Sequence, residues 1–282
     1  MTDRLLGSGL IIVDKPAGMT SHDVISRLRR IFRTRRVGHA GTLDPMATGV
    51  LVVGIERGTR FLAHLVTETK TYRATIRLGA STTTDDAEGG ITSRTDTTDV
   101  TDTLIDAAIT QLTGDIMQKP AAVSAIKIDG KRAHERVRDG ETIDIPARPV
   151  TVHRFDVLDR RSVDGYIDLD VDVFCSSGTY IRALARDLGN ALGVGGHLTA
   201  LRRTTVGPFD LTHARTLKEL EDNPQLSLTL DQALAASFPV LRVSEEEGHK
   251  LAMGQWLEPR GLKGIHAAVT PDGQAVALVK EK

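Results

Sequence analysis

The pattern that most constrains the fold is a strict alternation of aliphatic and acidic residues between Tyr166 and Phe174. The two sets interleave as Ile167, Leu169, Val171 and Val173 against Asp168, Asp170 and Asp172. Because successive side chains of a β-strand point to opposite faces, this period places all the aliphatic residues on one side. The segment from Tyr72 to Leu78 alternates in the same way. Both patterns predict strands with one apolar face and one polar face.

Helical periods lie between the predicted strands. After Thr20 and Ser21, which are candidate N-caps, Val24, Leu28 and Phe32 follow at helical spacing. Further strands are predicted at 9–13, 50–53, 150–157 and 275–279, and further helices at 104–112, 179–192, 230–236 and 245–253. Hairpin-like strand pairs with interspersed helices favour an α+β fold over a regular βαβ array.

The composition restricts the class of protein. The chain has 282 residues, of which 40% are hydrophobic, enough for one large domain or a domain with a small addition. No apolar run approaches the roughly 20 residues of a membrane helix, and residues 1–4 lack the pattern of a signal peptide. Cys175 is the only cysteine, which excludes an intrachain disulfide and a cysteine-based zinc site. We therefore expect a cytoplasmic protein without a membrane span.

Charge is distributed unevenly along the chain, although the net charge is only −1. Residues 15–60 carry nine Lys or Arg against three acidic residues, whereas residues 81–115 carry eight acidic residues against one arginine. A polyanion would meet a positive face on such a protein. Charge alone leaves open the alternative of ordinary solvated faces.

Three stretches lack a regular pattern. Residues 81–103 are rich in Thr and Asp and are predicted to form an exposed connection. Residues 118–149 are charged and lack a sustained period, which predicts a long loop with a short helix near 133–137; loops of this length are usually functional or disordered. Asp222-Asn-Pro224 begins a polar break, and a boundary is predicted near 230–240. We thus predict a large domain over 1–230 and a small β-rich module over 238–282.

One segment combines several residues suited to catalysis. Gly38-His-Ala-Gly-Thr-Leu-Asp-Pro-Met-Ala-Thr-Gly49 lies between the basic helix and a predicted strand. Its single carboxylate, Asp44, stands directly before Pro45, a position that turns favour. The functional alternative is a carboxylate held on a rigid loop in a positive environment, available as a nucleophile or a base. The spacing by itself does not decide between the two.

Several long motifs decide in favour of catalysis. In sequence order they are Asp14-Lys-Pro-Ala-Gly-Met-Thr-Ser21, Val37–Gly49, Lys70-Thr-Tyr-Arg73, Leu78-Gly79, Thr84-Asp-Asp-Ala-Glu-Gly89, Ser124-Ala-Ile-Lys127, Arg148-Pro149, Cys175-Ser-Ser-Gly-Thr-Tyr-Ile-Arg182 and Gly196-His-Leu-Thr-Ala-Leu-Arg-Arg203. Over residues 9–215 the chain resembles the TruB family of bacterial tRNA pseudouridine-55 synthases. The resemblance implies a pseudouridine synthase catalytic fold, with a mixed, largely antiparallel central sheet flanked by helices. It also implies a PUA-like RNA-binding module over 238–282.

The same resemblance implies the reaction. The N-glycosidic bond of uridine 55 in the T loop of tRNA breaks, the uracil turns, and C5 rejoins the ribose, with neither a metal nor an organic cofactor. Asp44 matches the essential aspartate of the family, and Arg182 matches the arginine that pairs with it. Tyr72 matches the active-site tyrosine, whose ring can stack on uracil and whose phenol can move a proton. Without the motifs, Tyr72 would be assigned to the core and Arg182 to the solvated surface.

Three further residues are expected around the target base. His39 matches the residue that fills the space left by the extracted base, since an imidazole can stack; the alternative is a structural histidine. Tyr180 and Leu201 are expected to line the base pocket, where both also pack.

Three cationic residues complete the expected substrate-binding set. Lys15, together with Pro16, is expected to support the Asp44 loop. Lys127 and Arg203 are candidates for phosphate contacts, with ordinary surface charge as the alternative.

The expected partner is the T stem-loop of tRNA, bound by a monomer that needs no obligate protein partner and no membrane. The target uridine lies inside a folded RNA loop and must be extracted. The stretch at about 120–148 resembles the RNA-gripping insertion of the family. This chain departs from the family there, because Val123 stands where a tyrosine is common and Ala133-His-Glu-Arg136 replaces a tyrosine-bearing segment. We still expect RNA contact through this loop.

Three other functions compete with this one. The same fold could act on a uridine of ribosomal RNA or within a guide-RNA complex, the latter disfavoured by the absence of a large basic C-terminal extension. A catalytically silent RNA binder or folding helper would not need Asp44, Tyr72 and Arg182 together. A carboxylate-based glycosidase would need a second catalytic carboxylate, and no candidate stands out.

Overall fold

The structure, a computed structural model, describes residues 7–66, 68–121, 127–128, 131–132 and 145–281. The chain divides into two compact units. The first comprises the residues up to Pro45, Gly49–Val66 and Thr205–Lys282, and the second comprises Met46–Thr48 and Thr67–Thr204. The domain boundaries predicted from the sequence remain a prediction. The helix predicted near 133–137 lies outside the described residues, as do the departures from the family at 123 and 133–136.

The described strands are, in chain order, β1 (Gly9–Lys15), β2 (Val37–Ala40), β3 (Thr48–Ile55), β4 (Lys70–Leu78), β5 (Ala80–Thr82), β6 (Ile91–Arg94), β7 (Gly114–Gln118), β8 (Lys127–Ile128), β9 (Lys131–Arg132), β10 (Arg148–Val163), β11 (Tyr166–Cys175), β12 (Gly196–Val206), β13 (Phe209–Asp210), β14 (Leu228–Thr229), β15 (Val240–Arg242), β16 (His266–Val269) and β17 (Ala275–Val279). The described α-helices are α1 (Ser21–Ile31), α2 (Leu62–Val66), α3 (Asp102–Gln111), α4 (Ile181–Ala191), α5 (Leu217–Asp222), α6 (Leu230–Ser237) and α7 (Glu245–Ala252). Among them, no helix has the length and apolar character that crossing a bilayer requires.

The first unit is built on the antiparallel pair of β1 and β3. Both strands are continuous apolar runs, and their register places Ile12 opposite Val52. Both side chains are fully buried, as expected for strands covered on both faces. β14 pairs with the start of β1, and β2 pairs with β3, each antiparallel. β2 and β3 therefore form a hairpin whose connection carries residues 41–47.

Helix α1 begins with a capping box at Thr20. The Thr20 hydroxyl accepts a hydrogen bond from the Asp23 N–H at 3.0 Å, and the Asp23 carboxylate accepts one from the Thr20 N–H at 2.9 Å. These bonds satisfy N–H groups that the start of a helix leaves without intrahelical partners. Val24, Ile25 and Leu28 are buried. The predicted N-cap and apolar period are both confirmed.

The second unit contains a sheet in the order β12, β4, β11, β10, β7. β11 pairs antiparallel with both β4 and β10, and its aliphatic face is buried, which confirms the predicted alternation. On the opposite face, the acidic residues of β11 meet donors from β4. Asp168 accepts two hydrogen bonds from Arg77, both at 2.8 Å, and Asp170 accepts one from Thr75 at 2.7 Å. Cross-strand pairs of this kind stabilise the polar face of a sheet.

Residues 81–103 are mostly exposed, as predicted, but the segment also contains regular structure and buried residues. β5 and β6 form a hairpin there, and Thr82, Asp86 and Thr97 are buried. The connection is tight, because a Cβ at Gly89 would lie 2.4 Å from the hydroxyl of Thr84. Some of the Thr and Asp side chains in this segment bind nearby backbone groups. For example, the Thr82 hydroxyl donates to the Asp86 carbonyl at 2.7 Å.

Strand β12 has no counterpart among the strands predicted from the sequence. Its burial does not alternate cleanly, since Thr199 and Ala200 lie between the buried Leu198 and Leu201. An arginine, Arg203, occupies a further buried position at 1% exposure. Periodicity therefore gives no clear strand signal in this segment.

The end of the first unit contains a small sheet in the order β15, β16, β17, with α7 against it. β15 runs parallel to β16, and β16 antiparallel to β17. Ala267 and Ala268 of β16 are fully buried. A Cβ at Gly248 of α7 would lie 2.4 Å from the Thr270 methyl group, so the helix approaches the end of β16 closely. The predicted helix at 245–253 and strand at 275–279 are confirmed.

Candidate active site

The loop between β2 and β3 carries Asp44 and is fixed on both sides of it. On the N-terminal side, the buried Ser21 hydroxyl accepts from the Leu43 N–H at 2.9 Å and donates to the Leu43 carbonyl at 3.1 Å. On the C-terminal side, the Gly18 N–H donates to the Pro45 carbonyl at 2.8 Å. Gly18 adopts φ +83°, a conformation that a glycine reaches without strain. Asp44 therefore stands between two residues whose backbones are held in place.

The Lys15 ammonium lies inside the same unit and is fully buried. It donates to three carbonyls: to Pro16 at 2.8 Å, Met19 at 2.7 Å and Pro45 at 3.3 Å. A buried ammonium is costly unless hydrogen bonds compensate for the water it loses, and these carbonyls supply them. Lys15 thus supports the segment that follows Asp44 and brings a positive charge beside it.

His39 belongs to the hairpin that carries the Asp44 loop. It lies half-buried on β2, opposite Val53 of β3. The first unit therefore contains three of the residues predicted for the site: Lys15, His39 and Asp44.

The second unit contains the predicted aromatic and aliphatic residues. Tyr72 lies on the buried face of β4 at 7% exposure, opposite Val173 of β11. Leu201, at 8% exposure, lies on β12, which neighbours β4 in the sheet. Tyr180 is half-buried and is the N-cap residue of α4.

Leu201 also borders an open groove of about 560 Å³ in the second unit. Met46 and Thr48, which follow Asp44 by two and four residues, lie on the wall of this groove. The Arg202 guanidinium donates to the Thr48 hydroxyl at 3.2 Å. This bond attaches the chain that leaves the Asp44 loop to β12.

Arg182 lies in the first turn of α4 and is buried, at 5% exposure, so the alternative of a solvated surface arginine is wrong. Its guanidinium donates to the Thr84 carbonyl at 3.1 Å and lies 3.6 Å from the Asp86 carboxylate. Asp86 is itself 2% exposed, and its carboxylate accepts from the Thr84 hydroxyl at 2.5 Å and from the Glu88 N–H at 3.0 Å. The arginine thus meets a carboxylate whose position is fixed independently.

Asp86 is a residue that reasoning from the sequence missed. The sequence predicts an exposed connection for its stretch, which is rich in Thr and Asp. The available signal was the motif Thr84-Asp-Asp-Ala-Glu-Gly89. Its glycine and aspartates are typical of a tight turn, which can hold a carboxylate in place.

A second arginine of α4, Arg186, binds the same turn. Its guanidinium donates to the Asp85 carboxylate at 3.2 Å and to the Lys119 carbonyl at 2.6 Å. Asp85 adopts φ +61°, and burial raises the pKa of its carboxyl group, although Arg186 opposes this shift. The turn at 84–86 is therefore held by two arginines spaced one helical turn apart.

Two buried cations lie close together in the second unit. Burial, together with the charge of Arg203, lowers the pKa of Lys70 to about 8. The Lys70 ammonium donates to the Glu68 carbonyl at 2.8 Å. Arg203 is 1% exposed, so the alternative of ordinary surface charge is wrong for it. Burial also raises the pKa of the Cys175 thiol to about 11, which makes it unreactive.

Lys127 lies on β8, which pairs antiparallel with β9 and places Lys127 opposite Arg132. This short hairpin thus carries three basic residues, the third being Lys131. Among the described residues, no three His, Cys, Asp or Glu side chains are grouped as metal ligands would be.

Solved structures define the class of this fold. The chain resembles one in the crystal structure of a Cbf5-Nop10-Gar1 complex with a TM-score of 0.73 and 28% identity, over 98% of this chain and 78% of that one. It resembles one in an H/ACA RNP bound to a substrate RNA containing 2′-deoxyuridine with a TM-score of 0.71 and 25% identity, over 98% and 78% of the two chains. The fold is that of the pseudouridine synthases, which are isomerases.

Family models cover most of the chain. Residues 29–181 match the TruB family pseudouridylate synthase (N terminal domain), residues 182–236 the tRNA pseudouridylate synthase B C-terminal domain, and residues 238–282 the model named tRNA Pseudouridine synthase II, C terminal. The chain belongs to the TruB family of pseudouridylate synthases.

Curated relatives agree with this placement. A protein named tRNA pseudouridine synthase B from Corynebacterium efficiens is 72% identical over 282 residues, which cover 100% of this chain and 95% of the relative. A protein of the same name from Nocardia farcinica is 59% identical over 274 residues, which cover 97% and 90%.

Proposed function

We propose that this protein converts uridine 55 in the T loop of tRNA to pseudouridine. The observation that carries the proposal is the fixation of Leu43 and Pro45 on either side of Asp44, in a chain 72% identical to a tRNA pseudouridine synthase B. A catalytic group must be held in one place, since a displacement of about 1 Å can cost roughly 10²-fold in rate. The Asp44 loop meets this requirement.

The reaction exchanges one bond to the ribose for another. The bond between N1 of uracil and C1′ breaks, the base turns, and C5 bonds to C1′, after which the hydrogen on C5 leaves as a proton and N1 takes up a proton. We propose that Asp44 acts at the junction of base and sugar, as a nucleophile or a base. Tyr72 stacks on the uracil and moves a proton. Arg182 is the third catalytic residue, and its fixed contact with Asp86 supports a role that needs a defined guanidinium position.

The substrate-binding residues divide into those for the base and those that carry charge. His39 fills the space that the extracted uridine leaves, and Tyr180 and Leu201 line the pocket that receives it. The charged residues are Lys15, Lys127 and Arg203. Lys15 acts through the Asp44 loop, and the basic hairpin of Lys127 contacts RNA phosphates. The burial of Arg203 favours an electrostatic role inside the second unit over a phosphate contact at the surface.

The partner of the proposed enzyme is tRNA, recognised at its T stem-loop. The arginine-rich polar side of α1 supports contacts to the phosphates around the extracted base. We propose that the chain acts in the cytoplasm as a monomer, without a cofactor, a membrane or an obligate protein partner. Residues 238–282 form the PUA-like module of this proposal.

Label release from an isolated T stem-loop tests the proposal. A stem-loop with tritium on C5 of the target uridine should release the label to water, because bonding through C5 displaces that hydrogen. The control is the same stem-loop with the label on a stem uridine, which should retain it. Release from ribosomal RNA fragments with none from the T stem-loop would contradict the assignment to tRNA.

A further inference from the structure

The start of helix α4 lacks a side-chain cap of its own. Its N-cap residue is Tyr180, whose side chain makes no capping hydrogen bond. Tyrosine lacks the short oxygen-bearing side chain of the residues that favour this position. A group from elsewhere in the chain binds the backbone at the helix start. This matters because Tyr180 and Arg182 both belong to the proposed site.

That group is the side-chain amide of Gln118, the last residue of β7. Its carbonyl oxygen accepts from the Tyr180 N–H at 2.8 Å, and its NH₂ group donates to the Tyr180 carbonyl at 3.1 Å. Gln118 is 1% exposed. Both bonds go to a single residue, so the amide fixes the orientation of that residue as well as its position.

The Tyr180 backbone transmits this constraint into the helix. Its carbonyl also accepts the Leu184 N–H at 3.2 Å, so the group that Gln118 binds is the one that begins α4. Arg182 lies two residues further along the chain and must reach the Thr84 carbonyl and the Asp86 carboxylate from the position this start gives it. A shift of the first turn would move the tyrosine ring and the guanidinium together.

The next residue of the chain is held to the same helix. Lys119 accepts a hydrogen bond at its carbonyl from Arg186, one turn along α4 from Arg182. The two contacts align the end of β7 with the first two turns of the helix. Only the Gln118 contact touches the backbone of a proposed site residue.

We propose that Gln118 is a positioning residue for uridine isomerisation, which orients Tyr180 and Arg182 by binding the Tyr180 backbone. The inference rests on the proposed function, because it assigns those two residues to the site. Gln118 itself touches no reacting atom in this account. Its loss should slow the chemical step while leaving the binding of tRNA unchanged.

The test compares Gln118→Met with a matched control in the same unit. Methionine keeps the length of the side chain but can neither donate nor accept as the amide does. The control is Thr97→Val, which removes the hydrogen bond from the hydroxyl of the buried Thr97 to the Gly165 carbonyl (3.1 Å), away from α4. Each protein is assayed for label release from tritiated tRNA at saturating enzyme, for tRNA affinity by filter binding, and for thermal stability.

For Gln118→Met we expect the single-turnover rate to fall roughly 10- to 100-fold, with the tRNA dissociation constant within about twofold of wild type. Thr97→Val should lose stability without losing rate. Gln118→Glu, which keeps the acceptor for the Tyr180 N–H but loses the donor to its carbonyl, should also be slowed, and it serves as the test if the methionine variant does not fold.

Two results would overturn the inference: a wild-type rate in both Gln118 variants, or an equal loss of rate in Thr97→Val. If wild-type protein releases no label from tRNA, the proposed function fails as well. If the wild-type protein releases label and the Gln118 variants release it at the same rate, only the role of Gln118 is overturned.

Discussion

The Asp44 loop in the first unit and the start of α4 in the second unit are fixed by different means. The loop is held by uncharged backbone groups arranged around one ammonium and one hydroxyl, those of Lys15 and Ser21. The start of α4 is held by an amide and by guanidinium contacts to carboxylates, through Gln118, Arg182 and Arg186. The first arrangement uses residues within 15–45, whereas the second joins segments at 84–86, 118–119 and 180–186.

The two regions show two ways of building a site: by contacts within one stretch of chain, and by contacts between distant segments. A local arrangement forms from one stretch of chain, so its motif specifies nearly all of its contacts. A non-local arrangement must close long loops before its contacts form, and charge pairs then offset part of the cost of burying charged groups. We therefore expect substitutions in the first region to act through the position of one loop, and charge substitutions in the second region to lower stability through the buried charge that they leave behind.

The largest effect is expected for Asp44→Asn. The amide has the shape of the carboxylate but is neither an anionic nucleophile nor a base, so label release should fall by roughly 10⁴-fold or more, with tRNA affinity nearly intact. Single-turnover assays beside filter binding measure both quantities. Asp222→Asn, at an exposed carboxylate paired with Lys218, is the matched control and should behave as wild type. Activity of Asp44→Asn near that of wild type would remove Asp44 from catalysis.

A smaller effect on rate, joined to a loss of stability, is expected for Lys15→Met. The substitution leaves the carbonyls of Pro16, Met19 and Pro45 without this donor, at a cost of about 2–3 kcal/mol in the free energy of unfolding. The Asp44 loop then loses its position, and the rate should fall about 10²-fold. Denaturant unfolding and label release measure the two effects. The control is Lys218→Met at an exposed lysine, which should change stability by less than about 1 kcal/mol. Unchanged activity in Lys15→Met would show that the loop holds its position without the ammonium.

Asp86→Asn should lower stability as well as rate in the second region. Asparagine retains an oxygen that can accept from the Thr84 hydroxyl and the Glu88 N–H, so the turn should persist. The buried Arg182 loses this carboxylate, which should cost about 3 kcal/mol in the free energy of unfolding, and the rate should fall roughly tenfold. Label release measures the rate, and thermal unfolding measures the stability. The control is Asp96→Asn, at an exposed turn. A stability equal to that of wild type would show that Arg182 does not depend on the charge of Asp86.

Sequence patterns predicted one of these regions far better than the other. The motif around Asp44 identified the loop of the first region together with Lys15. Outside both regions, alternation predicted β4 and β11. The burial of Asp86 could not be predicted, because a stretch rich in Thr and Asp normally faces solvent. The contact of Gln118 with Tyr180 spans 62 residues, and no local pattern reports such a pairing. The burial of Arg203 could not be predicted either, because arginines are seldom fully buried.

The smallest effect concerns Lys70, whose pKa is lowered to about 8 in the folded protein. An ordinary lysine has a pKa near 10.4, so between about pH 8 and 10.4 the unfolded chain retains a proton that the folded protein has lost. Lys70 therefore contributes a rise in stability as the pH increases through this window. Lys70→Met should abolish that part of the rise, measured by denaturant unfolding at pH 8 and pH 10. Lys250→Met, at an exposed lysine, should keep it, and an identical pH dependence in Lys70→Met would contradict the burial of a titrating ammonium.

The measurement that tests the central claim most directly is a map of pseudouridine in RNA from cells that lack this protein. The account predicts that uridine 55 of tRNA is unmodified in those cells while ribosomal RNA is unchanged. Expression of the wild-type chain should restore the modification, and expression of Asp44→Asn should not. Persistence of pseudouridine 55 without the protein, or its restoration by Asp44→Asn, would contradict the account.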